Sequence, residues 1–155
     1  MLMADRNGRP DWDTYWMNMV DNISRRSTCK RRNIGAVVVR DNYIVSTGFN
    51  GAPRGLPHCS EIGCLRDKLK IPSGTRHEIC RGAHAEQNAI IRGDPARMED
   101  ATMYVNAKPC TICAKMIINS GIKRVVYIEY YPDNEGVKLL KQAGVETKIH
   151  EKKRT

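Results

Sequence analysis

Residues 102–129 read TMYVNAKPCTICAKMIINSGIKRVVYIE and contain a predicted strand, a helix and a second strand in immediate succession. The branched and aromatic residues of 102–106 and 124–129 are typical of strands. Between them, 110–120 has the apolar spacing of a helix, and Gly121 is a typical helix end. Because such a unit joins parallel strands through a right-handed connection, this stretch predicts the parallel part of a helix-covered sheet.

The segments on either side extend this unit. Apolar spacing predicts helices over 11–26, 84–92 and 135–143, a short helix near 64–69, and strands over 34–39, 43–49 and 145–149. The first two of these strands form a predicted β-hairpin, with its turn at Asp41-Asn42. The predicted fold class is therefore α/β, with one three-layer α/β/α domain over residues 1–155 and a five-stranded mixed sheet.

The composition is that of an ordinary globular chain, since 41% of the 155 residues are hydrophobic and 28% are charged. No apolar run approaches the ~20 residues that cross a bilayer, and the N-terminal segment lacks the apolar core of a secretory signal. We therefore expect a cytoplasmic protein with no membrane partner. The net charge of +9 indicates either a solvated basic surface, including a basic tail at 148–155, or attraction of a phosphorylated substrate or nucleic acid.

Two short segments carry the residues of a predicted metal centre. One predicted helix begins at 84–86 (HAE), and another begins at 109–113 (PCTIC). One imidazole and two thiolates suit zinc and leave a position open for water, as in catalytic zinc sites. Cys110 and Cys113 share one helix face, at the positive end of the helix dipole. If two adjacent parallel strands precede these helices, His84 meets both cysteines at one edge of the sheet.

The position of Glu86 favours a catalytic centre over a closed zinc knot or two free cysteines. A zinc ion lowers the pKa of its bound water to about 7, and Glu86 lies two residues past His84, where it can move protons without binding the metal. The pattern H-x-E followed by P-C-x-x-C is typical of zinc-dependent nucleobase deaminases. We therefore expect hydrolytic removal of an amino group, with Glu86 as the catalytic residue.

The other four cysteines indicate a second metal site. An insertion over about 51–83 lacks its own apolar core and contains three of them, and a metal would contribute most to order in such a segment. Four thiolates complete a closed structural zinc site. His77 is the alternative fourth ligand, in place of Cys64 or Cys29, and four unrelated thiols are the competing interpretation. The predicted ligands are Cys29, Cys59, Cys64 and Cys80.

Several segments resemble the deoxycytidylate (dCMP) deaminase family, and the similarity runs from about residue 12 to residue 149. The matching segments are 27–29, 34–39, 48–55, 84–90, 109–114 and 121–127. The resemblance implies a cytidine-deaminase-like fold that converts dCMP to dUMP and ammonia, which supplies thymidylate synthesis. It further implies that Asn50 contacts the sugar of the substrate, that Ala85 belongs to the substrate site, and that Tyr131 lies near the phosphate.

The same resemblance implies regulation and assembly. Many family members are homohexamers that dCTP activates and dTTP inhibits, and the effector lies near the segment that contains Asn50, Gly51 and Arg54. Besides the catalytic and structural zinc ions, Mg²⁺ can accompany a nucleotide effector. Asn106 and Lys108 depart from the family's pattern before the Pro-Cys pair, so base contacts are not carried over there. For the substrate phosphate the candidates are Arg26, Arg31 and Arg54, with plain solvation an equal alternative.

Two other functions share parts of this pattern. A tRNA-editing adenosine deaminase has the same zinc motif, but the cysteine-bearing insertion and the Asn-Gly-x-Pro segment at 50–53 argue against it. A non-catalytic nucleic-acid-binding zinc module has no use for Glu86 beside an open metal site, and the chain lacks interleaved surface aromatics. We therefore expect a small nucleotide substrate and no nucleic-acid partner.

Overall fold

The computed structural model describes residues 7–129 and 133–151, which form five strands and seven α-helices. The strands are β1 (Gly35–Arg40), β2 (Tyr43–Phe49), β3 (Thr102–Val105), β4 (Arg124–Tyr127) and β5 (Glu146–Ile149). The helices are α1 (Trp12–Ser24), α2 (Cys59–Ile62), α3 (Leu65–Lys68), α4 (Ala85–Arg92), α5 (Pro95–Met98), α6 (Thr111–Ser120) and α7 (Glu135–Gln142). In these ranges, no helix combines the length and apolar character needed to cross a bilayer.

The sheet is mixed, as the sequence predicts. Its strand order is β2-β1-β3-β4-β5, in which β3, β4 and β5 are parallel and β1 is antiparallel to both of its neighbours. The β-hairpin of β1 and β2 and the parallel strands at the other side are both confirmed. Of the three one-turn helices, α3 was predicted, and α2 and α5 were not.

Helices cover both faces of the sheet, and the residues of β1 show how the two faces divide. Val37 packs in one buried cluster with Trp16 and Val20 of α1. Its neighbours Ala36 and Val38 point to the opposite face, where they pack with residues of α4, α6 and α7. This alternation follows from the two-residue period of a strand. The three-layer α/β/α architecture is therefore confirmed.

One prediction about the topology was wrong. The strands that precede α4 and α6 are β2 and β3, and they are not adjacent, because β1 lies between them. They nevertheless run in the same direction, since each is antiparallel to β1. The two helices therefore still begin at the same edge of the sheet.

Helix α4 packs directly against the backbone of β2. A Cβ atom at Gly48 would lie 2.5 Å from the backbone nitrogen of Ala89, and closer still to the carbonyl oxygen of Ala85. Both alanines are fully buried. The absence of a side chain at Gly48 thus permits the close approach that positions the first turn of α4.

Asp13 joins α1 to three strands. Its carboxylate accepts two hydrogen bonds from Arg124, both at 2.9 Å, one from the Tyr104 hydroxyl at 2.8 Å and one from Lys148 at 2.6 Å. The hydrogen bonds from Arg124, more than the burial that opposes them, hold the pKa of Asp13 well below its usual 3.8. Asp13 is therefore an ionised anchor between the helix and the sheet.

The substitution Asp13→Asn is expected to lower the free energy of unfolding by about 2 kcal/mol at pH 7, because it leaves the half-buried Arg124 without its carboxylate. Since the pKa of Asp13 is lower in the folded state, its ionisation stabilises the fold fully above pH ~4, and this contribution is lost as the pH falls further. In urea unfolding, the difference between wild type and variant should shrink from pH 7 to pH 3.

The matched control is Asp41→Asn, because Asp41 is exposed and its contact with Arg40 is long, at 3.8 Å. This control should change stability by less than about 0.5 kcal/mol at either pH. A difference between wild type and Asp13→Asn that is the same at both pH values would contradict the anchoring role.

Candidate active site

Three metal-ligand atoms meet where α4 and α6 begin. Nδ1 of His84 lies 3.3 Å from Sγ of Cys113 and 3.6 Å from Sγ of Cys110. All three atoms lie within 4.8 Å of one another. A zinc ion about 2.3 Å from each sulfur and about 2.0 Å from the nitrogen fits between atoms at such separations. The structure thus brings together the three residues that the sequence predicted as ligands.

Local helix geometry places these side chains. His84 is the N-cap residue of α4, and its backbone N–H donates to the Gln87 side chain at 2.7 Å. Cys110 is the N-cap residue of α6, and its sulfur accepts a hydrogen bond from the backbone N–H of Cys113 at 3.5 Å. Because an N-cap side chain folds back over the first helical turn, both residues point toward the space between the two helix ends.

The two thiols have opposite shifts in pKa. The thiol of Cys113 donates to the sulfur of Cys110, and this bond lowers the pKa of Cys110. The same bond, together with burial, raises the pKa of Cys113. Both thiols would release their protons when the two sulfurs bind a cation.

Glu86 lies in the first turn of α4 and is 3% exposed. The Cys113 thiol lies close enough to its carboxyl group for each to affect the pKa of the other. Burial raises the pKa of Glu86, so the group can exchange protons closer to neutral pH than an exposed glutamate can. It opens onto the same cavity as His84 and Cys110. This arrangement provides a buried carboxyl beside a set of metal ligands.

The residues expected to bind substrate or effector lie at different places. Asn50, Gly51 and Ala85 line the cavity, but Arg54 is exposed and does not. The side chain of Asn50 also stabilises its own loop, because Oδ1 accepts from the backbone N–H of Ile34 at 3.0 Å. Its Nδ2 donates to a backbone carbonyl oxygen at 2.9 Å. Tyr131 and the end of the basic tail, 152–155, lie outside the described residues.

The second predicted metal site is less compact than the first. All four of its cysteines line the cavity, and burial and the charges of the other three raise the pKa of Cys59. Within 7–129 and 133–151, however, His84, Cys110 and Cys113 are the residues whose ligand atoms form a group within 4.8 Å. The alternative ligand His77 packs its ring against that of His84, with centroids 5.1 Å apart. No three of these four cysteines therefore bring their sulfurs within 4.8 Å of one another.

Sequence analysis missed two buried cations that line the cavity, Lys108 and Arg66. Nζ of Lys108 donates to Glu129 at 2.9 Å and to Asn134 at 2.7 Å, which ties the loop before α6 to the start of α7. The position of Lys108 next to Pro109 was a usable signal. Arg66 had no such signal, because the insertion around it lacks apolar periodicity.

Comparisons with known proteins identify a family for the chain and a solved structure with a similar fold. A family model described as the cytidine and deoxycytidylate deaminase zinc-binding region matches residues 10–129. The chain therefore belongs to the cytidine and deoxycytidylate deaminase zinc-binding family, which confirms the resemblance found in the sequence.

Two of the individual proteins that the chain is similar to are deoxycytidylate deaminases. The deoxycytidylate deaminase of Schizosaccharomyces pombe is 39% identical over 147 residues, which are 94% of this chain and 46% of that protein. The chain thus spans about half the length of this relative. The deoxycytidylate deaminase of Mycobacterium phage D29 is 40% identical over 124 residues, which are 77% of this chain and 95% of that protein.

A solved structure is also similar. The dCMP deaminase of cyanophage S-TIM5, determined in complex with dCMP and dUMP, superposes with a TM-score of 0.74 at 30% identity. The match covers 92% of this chain and 98% of the cyanophage chain. The likeness therefore extends over nearly the whole of both chains.

Proposed function

We propose that this chain catalyses the hydrolytic deamination of dCMP to dUMP and ammonia. The observation that carries the proposal is the set of His84, Cys110 and Cys113, with the buried carboxyl of Glu86 beside it in one cavity. The choice of nucleotide is supported by the S. pombe and phage relatives, which are named deoxycytidylate deaminases. The cyanophage structure with dCMP and dUMP supports it as well.

The roles of the residues follow from their positions. His84, Cys110 and Cys113 would hold zinc, because one nitrogen and two sulfurs are a donor set that zinc prefers. When bound, zinc supplies a Lewis acid that makes water nucleophilic at neutral pH. Glu86 takes a proton from the attacking water and passes protons to the ring nitrogen and then to the departing ammonia.

The contacts with the rest of the substrate are part of the same proposal. Asn50 contacts the sugar and Ala85 forms part of the wall against the substrate, and the family resemblance assigns Tyr131 to the phosphate end. Support for the first two comes from their position on the cavity. The backbone hydrogen bonds of Asn50 hold its amide in one orientation, which is how a sugar-binding residue is preorganised.

Ammonia release from purified protein tests the function. The substrates are dCMP, CMP, deoxycytidine and an RNA hairpin with an unpaired adenosine, each at the same concentration. We expect dCMP to give the highest kcat/KM. Release from the RNA hairpin alone would instead indicate tRNA editing, and no release from any of the four would overturn the proposal.

We also propose the regulation that the family resemblance implies, in which dCTP activates and dTTP inhibits a cytoplasmic homohexamer. Its support is the location of Gly51 on the cavity and of Arg54, exposed, three residues further along the same loop. The proposed effector site includes Asn50, Gly51 and Arg54, with Mg²⁺ bound to the triphosphate. Rates at low dCMP with and without each effector, together with light scattering for the mass, test these points.

A structural zinc ion bound by the four other cysteines is the second metal that we propose. Their common position on the cavity and the buried state of Cys59 and Cys64 support it. The variant Cys59→Ser is expected to bind one zinc ion per chain where the wild type binds two, and to lose at least about 3 kcal/mol of stability. Metal analysis and urea unfolding measure both effects.

A wild-type protein with one zinc ion per chain would remove this second site. If His77 is a ligand in place of Cys64 or Cys29, the variant His77→Ala also loses one zinc ion. A serine variant of the cysteine that is not a ligand then keeps both ions. Because His77 packs against His84 in the structure, we expect His77→Ala to retain both ions.

A further inference from the structure

The cavity contains a buried positive charge for which the proposed reaction has found no use. Arg66 in α3 is 8% exposed. The other buried cation in the described ranges, Lys108, forms an ion pair with Glu129 at 2.9 Å. None of the ion pairs among the described residues includes Arg66. Burying a guanidinium without a carboxylate partner costs free energy. An anion that binds beside Arg66 would offset this cost.

The hydrogen bonds of Arg66 leave donor capacity free. Nη2 donates to the carbonyl oxygen of Thr75 at 2.8 Å and, more weakly, to that of Pro72 at 3.4 Å. These acceptors are neutral. Nε is buried and makes no hydrogen bond to the described part of the chain. A guanidinium has five N–H donors in a planar fork, which matches the oxygens of a phosphate group.

Four of the other arginines on or near the cavity are less suited to this role. Arg31 is already paired with Asp67 at 2.6 Å and donates to the carbonyl oxygen of Ile71 at 2.6 Å. Arg81 is exposed, so water screens its charge. Arg26 and Arg54, which the sequence offered for this contact, are exposed and do not line the cavity.

Arg66 and the reacting groups share one cavity, which His84 and Glu86 line as well. A nucleotide with its base beside Glu86 also meets the insertion, because residues of the insertion line the same cavity.

We propose that Arg66 binds the phosphate group of a nucleoside monophosphate in this cavity. Through this contact the protein discriminates nucleotide substrates from nucleosides. This rests on the proposed function, which supplies the base and the reaction. Arg66 is then a specificity-determining residue, and the insertion that carries it is part of the substrate site.

Kinetics with dCMP and deoxycytidine test this role. The variant Arg66→Met should lower kcat/KM for dCMP by roughly 100-fold, mainly through KM, and change kcat/KM for deoxycytidine by less than about threefold. The control Arg97→Met removes one exposed arginine from α5, outside the cavity, and should match the wild type with both substrates. An equal loss with both substrates would mean that Arg66 only supports the loop, and would overturn the inference.

Inorganic phosphate separates this inference from the proposed function. Calorimetry should show phosphate binding to the zinc-loaded wild type and to Arg97→Met, but at least about tenfold weaker binding to Arg66→Met. A wild type that deaminates dCMP while Arg66→Met binds phosphate normally leaves the function standing and overturns the inference. A wild type that is inactive with every nucleotide but binds phosphate through Arg66 overturns the proposed function and leaves the inference standing.

If Arg66→Met does not fold, the variant Arg66→Lys tests the same inference. It retains the charge but loses the planar fork, so we expect about a tenfold decrease in kcat/KM for dCMP and none for deoxycytidine. Zinc content, measured in parallel, should stay at the wild-type level. Loss of zinc from either variant would instead assign Arg66 to the neighbouring thiolates and contradict a phosphate site.

Discussion

Replacing Glu86 with glutamine is expected to lower kcat for dCMP by at least about 10³-fold while the protein keeps its catalytic zinc ion. Glutamine has nearly the same shape as glutamate, so the packing of this 3%-exposed side chain should survive. An amide, however, can neither accept the proton of the attacking water nor return it to the ring nitrogen. Steady-state kinetics and metal analysis on the same preparation measure both parts.

The matched control for this prediction is Gln87→Glu, on the next residue of the same helix turn. Gln87 accepts from the backbone of His84, and a glutamate can accept the same hydrogen bond. We therefore expect this variant to stay within about tenfold of wild type. If Glu86→Gln keeps more than a tenth of wild-type activity, Glu86 does not carry the protons.

Replacing Cys110 with alanine is expected to abolish turnover and to remove one zinc ion per chain. The substitution deletes a ligand and also the acceptor of the Cys113 N–H at the start of α6. Two remaining ligands cannot hold zinc in a three-ligand open site at the concentration of an assay. Metal content by mass spectrometry and ammonia release from dCMP are the measurements.

Cys59→Ser provides the comparison, because it also removes a thiol but leaves His84, Cys110 and Cys113 intact. It should retain deaminase activity at a temperature at which it is still folded. Added zinc should restore activity to chelator-treated wild type and not to Cys110→Ala. Activity in Cys110→Ala after exhaustive chelation would be incompatible with the assigned centre.

Much of the fold was predictable because its signals are local. The continuous apolar run of β1, the Asp11 side chain that caps α1 and the glycine after α6 each act within a few residues of sequence. The insertion of β1 between β2 and β3 was not predictable, because the pairing of strands far apart in sequence leaves no local signal. The five strands and the longer helices were therefore predicted correctly, while two one-turn helices were missed and one neighbour relation in the sheet was wrong.

The candidate site also contains residues with local sequence signals and residues without them. His84 and Cys110 were predictable because the residues next to them in the sequence indicate where α4 and α6 begin, and both residues are the N-caps of these helices. The burial of Arg66 was not, because it depends on carbonyl oxygens of Pro72 and Thr75 and on how the whole insertion folds over the cavity. Residue types in a motif predict chemistry, whereas the surroundings of an isolated arginine depend on tertiary structure.

The position of β1 also has a consequence for biosynthesis. The imidazole ligand and the two sulfur ligands follow different strands, and β1 pairs with both of those strands. A nascent chain that has emerged only as far as α4 offers the catalytic centre a single ligand, His84, which does not retain a metal ion by itself. Capture of the catalytic zinc ion thus completes only after the ladder between β1 and β3 has closed, so resistance of this ion to a chelator during synthesis reports when the two halves of the sheet have joined.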